Sequence, residues 1–161
     1  MKSACRRILL ISLPLFSTTL ALAARAETDA CTLATPAQVA AAVGEAVSAG
    51  AHVTPTFVKT CTWTPSGKSK LVSVTLNLQT AAYYDGAKRQ ATMAAAAVGK
   101  GAEVKAASVG DDAYYYVAGD QVMLFVKKGA ASFKVAVYAK LRAGEKEAME
   151  LKLARDVAAK L

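Results

Sequence analysis

Residues 31–63, CTLATPAQVAAAVGEAVSAGAHVTPTFVKTCTW, determine the fold that the sequence predicts. The stretch begins at Cys31 and carries Cys61 near its end, while the third cysteine of the chain, Cys5, lies near the N-terminus, before the apolar run of residues 8–22. It also contains the chain's one tryptophan, Trp63, and its one histidine, His52. Two cysteines are too few for a metal site and too far apart for a Cys-x-x-Cys redox motif. We therefore expect a structural disulfide between Cys31 and Cys61.

A helix and a strand are predicted at the two ends of this stretch. Thr35, Pro36 and Gln38 form a capping box with proline at the first helical position, which predicts a helix over residues 35–43. Residues 57–64 alternate as a strand does, with Cys61 on one face. The predicted disulfide would therefore hold one helix against one sheet.

The N-terminal segment, residues 1–26, has the pattern of a secretory signal peptide. Basic residues precede an apolar run over residues 8–22, and small residues follow at the expected cleavage site. The alternative is a membrane anchor, but the run is short for a membrane span and contains Pro14. We predict one domain over residues 27–161, periplasmic or secreted and without a stable membrane anchor. Its two cysteines would oxidise in that compartment.

Turn residues and alternation predict further strands, and helical periodicity predicts two further helices. The fold class is α+β, with a mostly antiparallel sheet of about five strands, three helices and one disulfide, in the order α-β-β-α-β-β-β-α. The helices cover residues 35–43, 80–98 and 143–161, and the strands cover residues 57–64, 71–78, 113–117, 121–127 and 132–139. In the last helix the predicted core stripe is Ala148, Leu151, Ala154, Ala158 and Leu161, widened by Leu153 and Val157. The predicted solvated face carries Glu145, Lys146 and Glu150.

The charge of the chain argues against a nucleic-acid partner. The full chain has a formal net charge of +8. Four of its 20 basic residues and none of its 12 acidic residues lie in the predicted signal peptide, so the mature chain would have a net charge of +4. No basic cluster is interleaved with base-stacking aromatic residues, and we expect no nucleic-acid partner.

No pattern in the sequence predicts an enzyme. His52 could serve only one catalytic triad, and no Gly-x-Ser-x-Gly elbow accompanies it. The adjacent carboxylates of Asp111 and Asp112 are more typical of a turn and a strand cap than of a two-carboxylate active site. The sequence has no phosphate-binding or dinucleotide fingerprint and no metal-ligand set. We therefore expect no catalytic residues, no metal and no cofactor.

Tyrosines and lysines of the last three strands form the candidate binding surface, namely Tyr114, Tyr116, Tyr138, Lys127, Lys128 and Lys134. Successive strand residues point to opposite faces, so Tyr114, Tyr115 and Tyr116 cannot all face the core. Exposed tyrosine hydroxyls and lysine charges could bind a sugar, an anionic polymer or an acidic protein surface. The alternative is that the tyrosines pack under helices while the lysines keep a sheet edge soluble.

The opening of the predicted mature chain resembles a family of small exported bacterial domains. Its residues 31–39, CTLATPAQV, are similar to the family's Cys-x-Leu-Leu-Thr-x-x-Glu-Val, and the family continues into a Cys-x-Trp or Cys-x-Tyr strand, here Cys61-Thr62-Trp63. Residues 109–115, VGDDAYY, are similar to a second recurrent stretch, Val-Gly-Asp-x-Ala-Tyr. The sequence departs from the pattern at Ala34 and Gln38 and lacks the lipid-anchor cysteine.

Most members of that family are lipoproteins of unknown function from actinobacteria. The resemblance implies an extracytoplasmic α+β domain and supplies no catalytic residues. Together with the predicted disulfide and the surplus of tyrosines, it favours a non-enzymatic binding module of the cell envelope. Its partner would be an envelope polymer or an exported protein. The alternative is a protein inhibitor of another exported enzyme.

Overall fold

The computed structural model describes residues 27–161, with the backbone alone for Lys100. The predicted signal peptide lies outside the described residues. Within the described range, no helix combines the length and the apolar character that a membrane crossing requires.

One antiparallel sheet of seven strands forms the centre of the described domain, in the order β1-β2-β3-β7-β6-β5-β4. The strands are β1 (Ala51–His52), β2 (Thr60–Trp63), β3 (Leu71–Thr80), β4 (Ala102–Ala106), β5 (Asp112–Ala118), β6 (Gln121–Lys128) and β7 (Ala131–Ala139). The helices are α1 (Ala30–Leu33), α2 (Pro36–Val43), α3 (Ala81–Val98) and α4 (Ala143–Ala158), with a 3-10 turn at Gly99–Gly101. The predicted α+β class, antiparallel sheet and adjacent β5-β6-β7 meander are confirmed.

The predicted element count is wrong, because the described residues contain seven strands and four α-helices instead of five and three. The missed elements are short or weakly patterned. The helix α1 is a single turn, capped by the Asp29 carboxylate, and β1 has two residues. Strand β4, with the sequence AEVKA, has little apolar character of its own and forms by pairing along the edge of β5. Strand β2 is shorter than predicted, since it begins at Thr60 and Phe57 lies before it in an exposed position.

The main core lies on the face of the sheet that α1, α2 and α4 cover. Helix α2 begins as predicted, since Thr35 Oγ1 accepts from Gln38 N at 3.2 Å and Gln38 Oε1 accepts from Thr35 N at 3.0 Å. It ends at Gly44, whose φ of 80° is in the left-handed region that favours glycine. Buried side chains of α2 and α4 meet those of the central strands, where Leu76, Leu124 and Val135 are fully buried.

The opposite face of the sheet is only partly covered, by α3. Tyr84 of α3 is buried against Tyr114, with ring centroids 5.4 Å apart, and Tyr114 in turn stacks on Phe125 at 4.9 Å. Tyr115 points to the main core. The three consecutive tyrosines therefore divide between the two faces, as strand geometry requires.

The predicted core face of the closing helix is right at Leu153, Ala154 and Val157 and wrong elsewhere. Leu153, Ala154 and Val157 are buried, but so are Lys146 and Glu150, which were predicted to face solvent. Ala148 is exposed, and Leu161 lies beyond the end of α4 with 39% of its surface exposed. Helical periodicity therefore found part of the face that packs but assigned both charged residues to water.

The predicted disulfide between Cys31 and Cys61 is present and joins α1 to β2. Cys61 and Trp63 are fully buried beside each other. The chain passes close to both at Gly50, where an added Cβ would lie 2.5 Å from Cys61 Sγ and 2.8 Å from Trp63 Nε1. The disulfide environment therefore requires glycine at position 50.

Removing the disulfide should lower the stability of the fold, because the unfolded chain is then no longer constrained by a link between residues 31 and 61. Replacing both Cys31 and Cys61 by serine opens a loop with a sequence separation of 30 residues. We expect the free energy of unfolding in urea to fall by roughly 3 to 4 kcal/mol. A reductant should bring the wild type to the same value and leave the double variant unchanged. A double variant as stable as the oxidised wild type would contradict this role.

Adding one methyl group at Gly50 should also destabilise the fold. Gly50→Ala places its Cβ inside contact distance of the disulfide and the indole, so we expect a loss of roughly 1 to 3 kcal/mol. Gly67→Ala is the matched control, since an added Cβ there meets nothing within 4 Å. Equal melting temperatures for the two variants would contradict this prediction, because they would show that the backbone near residue 50 can shift without a loss of stability.

Candidate functional site

Strands β6 and β7 pair over only part of their length. Their register runs from Lys128↔Ala131 at the turn to Leu124↔Val135 and stops there. Residues 121–123 pair only with β5, while residues 136–139 pair only with β3. The two strands therefore separate at the end away from their turn. We call this opening the cleft.

A buried carboxyl group from α4 occupies the position where the ladder stops. Glu150 Oε1 accepts a hydrogen bond from Val137 N at 2.8 Å, and the backbone N–H of Leu124 also interacts with this carboxyl group. Glu150 is fully buried. A side chain thus takes the place that a main-chain carbonyl of the neighbouring strand would otherwise hold.

The pKa of Glu150 is raised to about 8, mainly by burial and to a smaller extent by the nearby charge of Glu147. The N–H of Val137, the charge of Lys146 and the N–H of Leu124 act in the opposite direction and do not offset this. At neutral pH the carboxyl group is therefore mainly protonated. Its second oxygen, Oε2, is buried and has no hydrogen-bond partner among the described residues. Such an unpaired buried atom is costly in a folded protein.

Lys146 lies one helical turn before Glu150 and is also buried, with 4% of its surface exposed. Its Nζ donates to the backbone oxygen of Asp120 at 2.6 Å. Among the salt bridges between described residues, none joins Lys146 to Glu150. Two buried ionisable groups of α4 thus lie at the cleft, and each is held by main-chain atoms of the sheet or its turn.

The cleft contains two connected cavities. The inner recess has a volume of about 170 Å³ and the outer vestibule about 630 Å³. They share the lining residues Asp120, Ala139, Lys140 and Lys146. The remaining walls of the recess are mostly apolar and come from Val72, Gln121, Val122, Met123, Val137 and Tyr138.

The vestibule is rich in positive charge. Lys70, Lys140 and Arg142 line it together with Lys146, and the lining acids are Asp120 and Glu145. Arg142 Nε lies 3.1 Å from Glu145 Oε2, so these two charges neutralise each other. Helix α4 begins here at Ala143, and the positive end of its dipole adds to the field. The arrangement attracts an anion.

The tyrosines predicted for the binding surface are distributed over different parts of the domain. Tyr114 is buried under α3 and is not available to a partner. Tyr116 is half-buried and pairs with Met123, a residue of the recess wall. Tyr138 is 41% exposed and lines the recess itself. Of the three predicted tyrosines, Tyr138 alone lines the recess.

None of the three predicted lysines is among the described residues that line the two cavities. Lys127 Nζ is 3.1 Å from Asp85 Oδ1 and Lys128 Nζ is 3.0 Å from Asp111 Oδ1, both near the β6–β7 turn. Lys134 lies over the Phe125 ring at 6.0 Å. The structure does not bring these lysines and Tyr138 together, because the lysines near the turn and Tyr138 are at opposite ends of the hairpin.

The other groups weighed for catalysis hold the structure together. His52 Nε2 lies 2.8 Å from Asp29 Oδ1, and this hydrogen bond is the main cause that lowers the pKa of Asp29. The nearby Cys31 sulfur is committed to the disulfide and cannot ligate a metal. The Asp111 carboxylate accepts from Gly129 N, while that of Asp112 pairs with Lys88. The two carboxylates thus have separate structural partners.

One feature of the sequence could have indicated that Lys146 and Glu150 belong to the site. Lys146 and Glu150 are separated by four positions on α4, close in phase with Leu153 and Val157. Taken alone, an i,i+4 pair of opposite charges is typical of a solvated helix face. Only the position of α4 over the ends of β6 and β7 shows that this pair is buried.

The stability of the fold should depend on the charge of Glu150. The pKa of Glu150 rises from 4.5 to about 8 on folding, so the folded state holds more protons between these values. The stabilisation that proton binding at Glu150 contributes to the fold is complete at acid pH and is lost as the pH rises towards 8. Glu150→Gln keeps an acceptor for Val137 N without titrating. From about pH 5 to about pH 8, wild type should lose roughly 2 to 4 kcal/mol of unfolding free energy relative to this variant.

The measurement is urea unfolding of both proteins at the two pH values. Other titrating groups cancel in the difference between wild type and variant. A difference that stays constant with pH would mean that Glu150 is ionised in the folded protein throughout this range.

Comparisons with known proteins leave the site to be interpreted from its geometry. No protein-family model matches the chain, and no curated protein or solved structure matches it either.

Proposed function

We propose that this protein is an exported, non-enzymatic binding domain of the cell envelope and that the cleft between β6 and β7 holds its ligand. The observation that carries the proposal is the interrupted strand ladder with a buried, unpaired carboxyl oxygen behind it. Continuing the ladder with apolar side chains would be the more stable solution for a domain that binds nothing. Departures of this kind concentrate at functional sites.

The lining of the cleft suits binding better than covalent chemistry. Serine, threonine, cysteine and histidine are absent from the walls that the described residues form. Lys146, which lines both cavities, is fixed by its hydrogen bond to Asp120 O, which preorganises it to receive a ligand. A recess with mostly apolar walls and a few polar groups is the usual form of a small-molecule site.

Inhibition of another exported enzyme is the second candidate, and a different surface favours it. Val53 and Phe57 are 67% and 47% exposed on the loop between β1 and β2. The disulfide at Cys61 and the His52–Asp29 hydrogen bond hold the base of this loop. A rigid loop with exposed apolar side chains is suited to insertion into a partner protein.

Capture from a periplasmic extract distinguishes these functions. We expect the wild type to retain a small molecule, detected by native mass spectrometry after buffer exchange. Ala139→Leu, which fills the cleft, should reduce retention by at least about tenfold. Ala106→Leu is the matched control, since Ala106 is exposed on β4 at the far edge of the sheet.

Two outcomes would contradict the proposal. Retention that Ala139→Leu does not change would place the ligand outside the cleft. Capture of a stoichiometric enzyme instead, lost when Val53 and Phe57 are both replaced by serine, would establish the inhibitor. Unchanged melting temperatures are the check that each variant is folded.

A further inference from the structure

We propose that the cleft binds a small monocarboxylate, with its apolar body in the inner recess and its carboxylate at Lys146. The inference depends on the proposed function, because it names the ligand class of the same site. It is argued from the size of the recess, the character of its walls and the charges around it.

The size of the recess limits the apolar body. Its volume is about 170 Å³. An apolar cavity of about 150 Å³ accommodates benzene. The recess therefore has room for one six-membered ring or a chain of about six carbon atoms. Its walls at Val122, Met123 and Val137 offer such a group apolar contact.

The charges require an anion at the inner end of the vestibule. Lys146 is buried, its Nζ contacts a main-chain oxygen, and no carboxylate lies within 4.0 Å of it among the described residues. Burying an ammonium group is costly unless an opposite charge accompanies it. Glu150 does not supply that charge at neutral pH, and the exposed Asp120 offers its backbone oxygen. A ligand carboxylate would complete the site.

The number of donors favours a carboxylate over a phosphate. Lys146 is the one buried charged side chain among the described residues that line the recess, so the inner end offers few donors. Phosphate sites typically use several N–H groups or an arginine fork. The vestibule lysines, Lys70 and Lys140, lie farther out and would attract the anion during entry. Arg142 is engaged by Glu145.

Glu150 makes the affinity depend on pH. The charged or titratable groups that act on it are Lys146 and Glu147 of α4 and Tyr115 of β5. Glu147 is held by Lys105 of β4, with Nζ 2.7 Å from Oε1. While Glu150 is protonated, the charge of Lys146 is free for the ligand. Ionised Glu150 would compete for Lys146 and repel the carboxylate.

Benzoate is the probe that fits the recess, and calorimetric titration of the full mature domain at about pH 6.5 is the measurement. We expect one benzoate per chain. Benzyl alcohol, which has a similar body without the charge, and benzylamine, which has the opposite charge, should each bind at least about tenfold more weakly. Lys146→Met should weaken benzoate binding by at least about tenfold. The matched control Lys68→Met removes an exposed lysine of the β2–β3 loop and should change nothing.

A second variant and a second condition keep the test independent of folding effects at Lys146. Ala139→Leu should abolish benzoate binding while the melting temperature is maintained. Raising the pH from about 6.5 to about 9 should weaken benzoate binding to wild type and leave binding to Glu150→Gln unchanged, since the pKa of Glu150 is about 8.

Several outcomes would overturn the assignment. Benzyl alcohol binding as tightly as benzoate would show a purely apolar recess, and tighter binding of benzylamine would show a cation site. Displacement of benzoate by equimolar inorganic phosphate would show a general anion site. If a ligand from the extract depends on Ala139 but carries no carboxylate, the ligand class fails and the binding function stands. If neither benzoate nor any extract ligand depends on Ala139, both fail.

Discussion

The hydrogen bond from Val137 N to Glu150 controls how the centre of this domain is built. It places a side chain of α4 where the ladder between β6 and β7 would continue, so the strands separate beyond Leu124 and Val135. The inner recess, the positively charged vestibule and the buried Lys146 that lines both lie around this separation. A helix laid across a sheet usually contributes apolar contacts, but α4 also contributes a polar group that changes the pairing of the strands beneath it.

The elements that the sequence predicts well are those for which local chemistry and tertiary packing agree. Thr35 and Gln38 cap α2 in any surroundings, and the glycine turns before β6 and β7 allow only antiparallel neighbours. The disulfide was predicted from the cysteine count together with a predicted oxidising compartment, and it is present. Strand β4 could not be predicted in this way, because its alanines acquire strand structure only from the free edge of β5.

The candidate site is the part that sequence analysis missed, and the reason is physical. Periodicity assigns Lys146 and Glu150 to water because an isolated helix would be most stable with both exposed. Their burial is a property of the assembled sheet, which supplies Asp120 O and Val137 N as partners. The tyrosine surface was predicted from pleat geometry alone. That geometry divided Tyr114 from Tyr115 correctly but did not indicate that α3 covers Tyr114.

The position of β7 next to β3 has a consequence for how the chain reaches this structure. These central strands pair from Leu71↔Ala139 to Thr80↔Ala131, so α3 and the three strands β4, β5 and β6 lie between them in the chain. The sheet cannot be completed by hairpins alone, and closing that long connection is an entropic barrier. Topologies dominated by such distant pairings fold in milliseconds to seconds instead of microseconds. The newly made chain would therefore stay open long enough for other cellular processes to act on it.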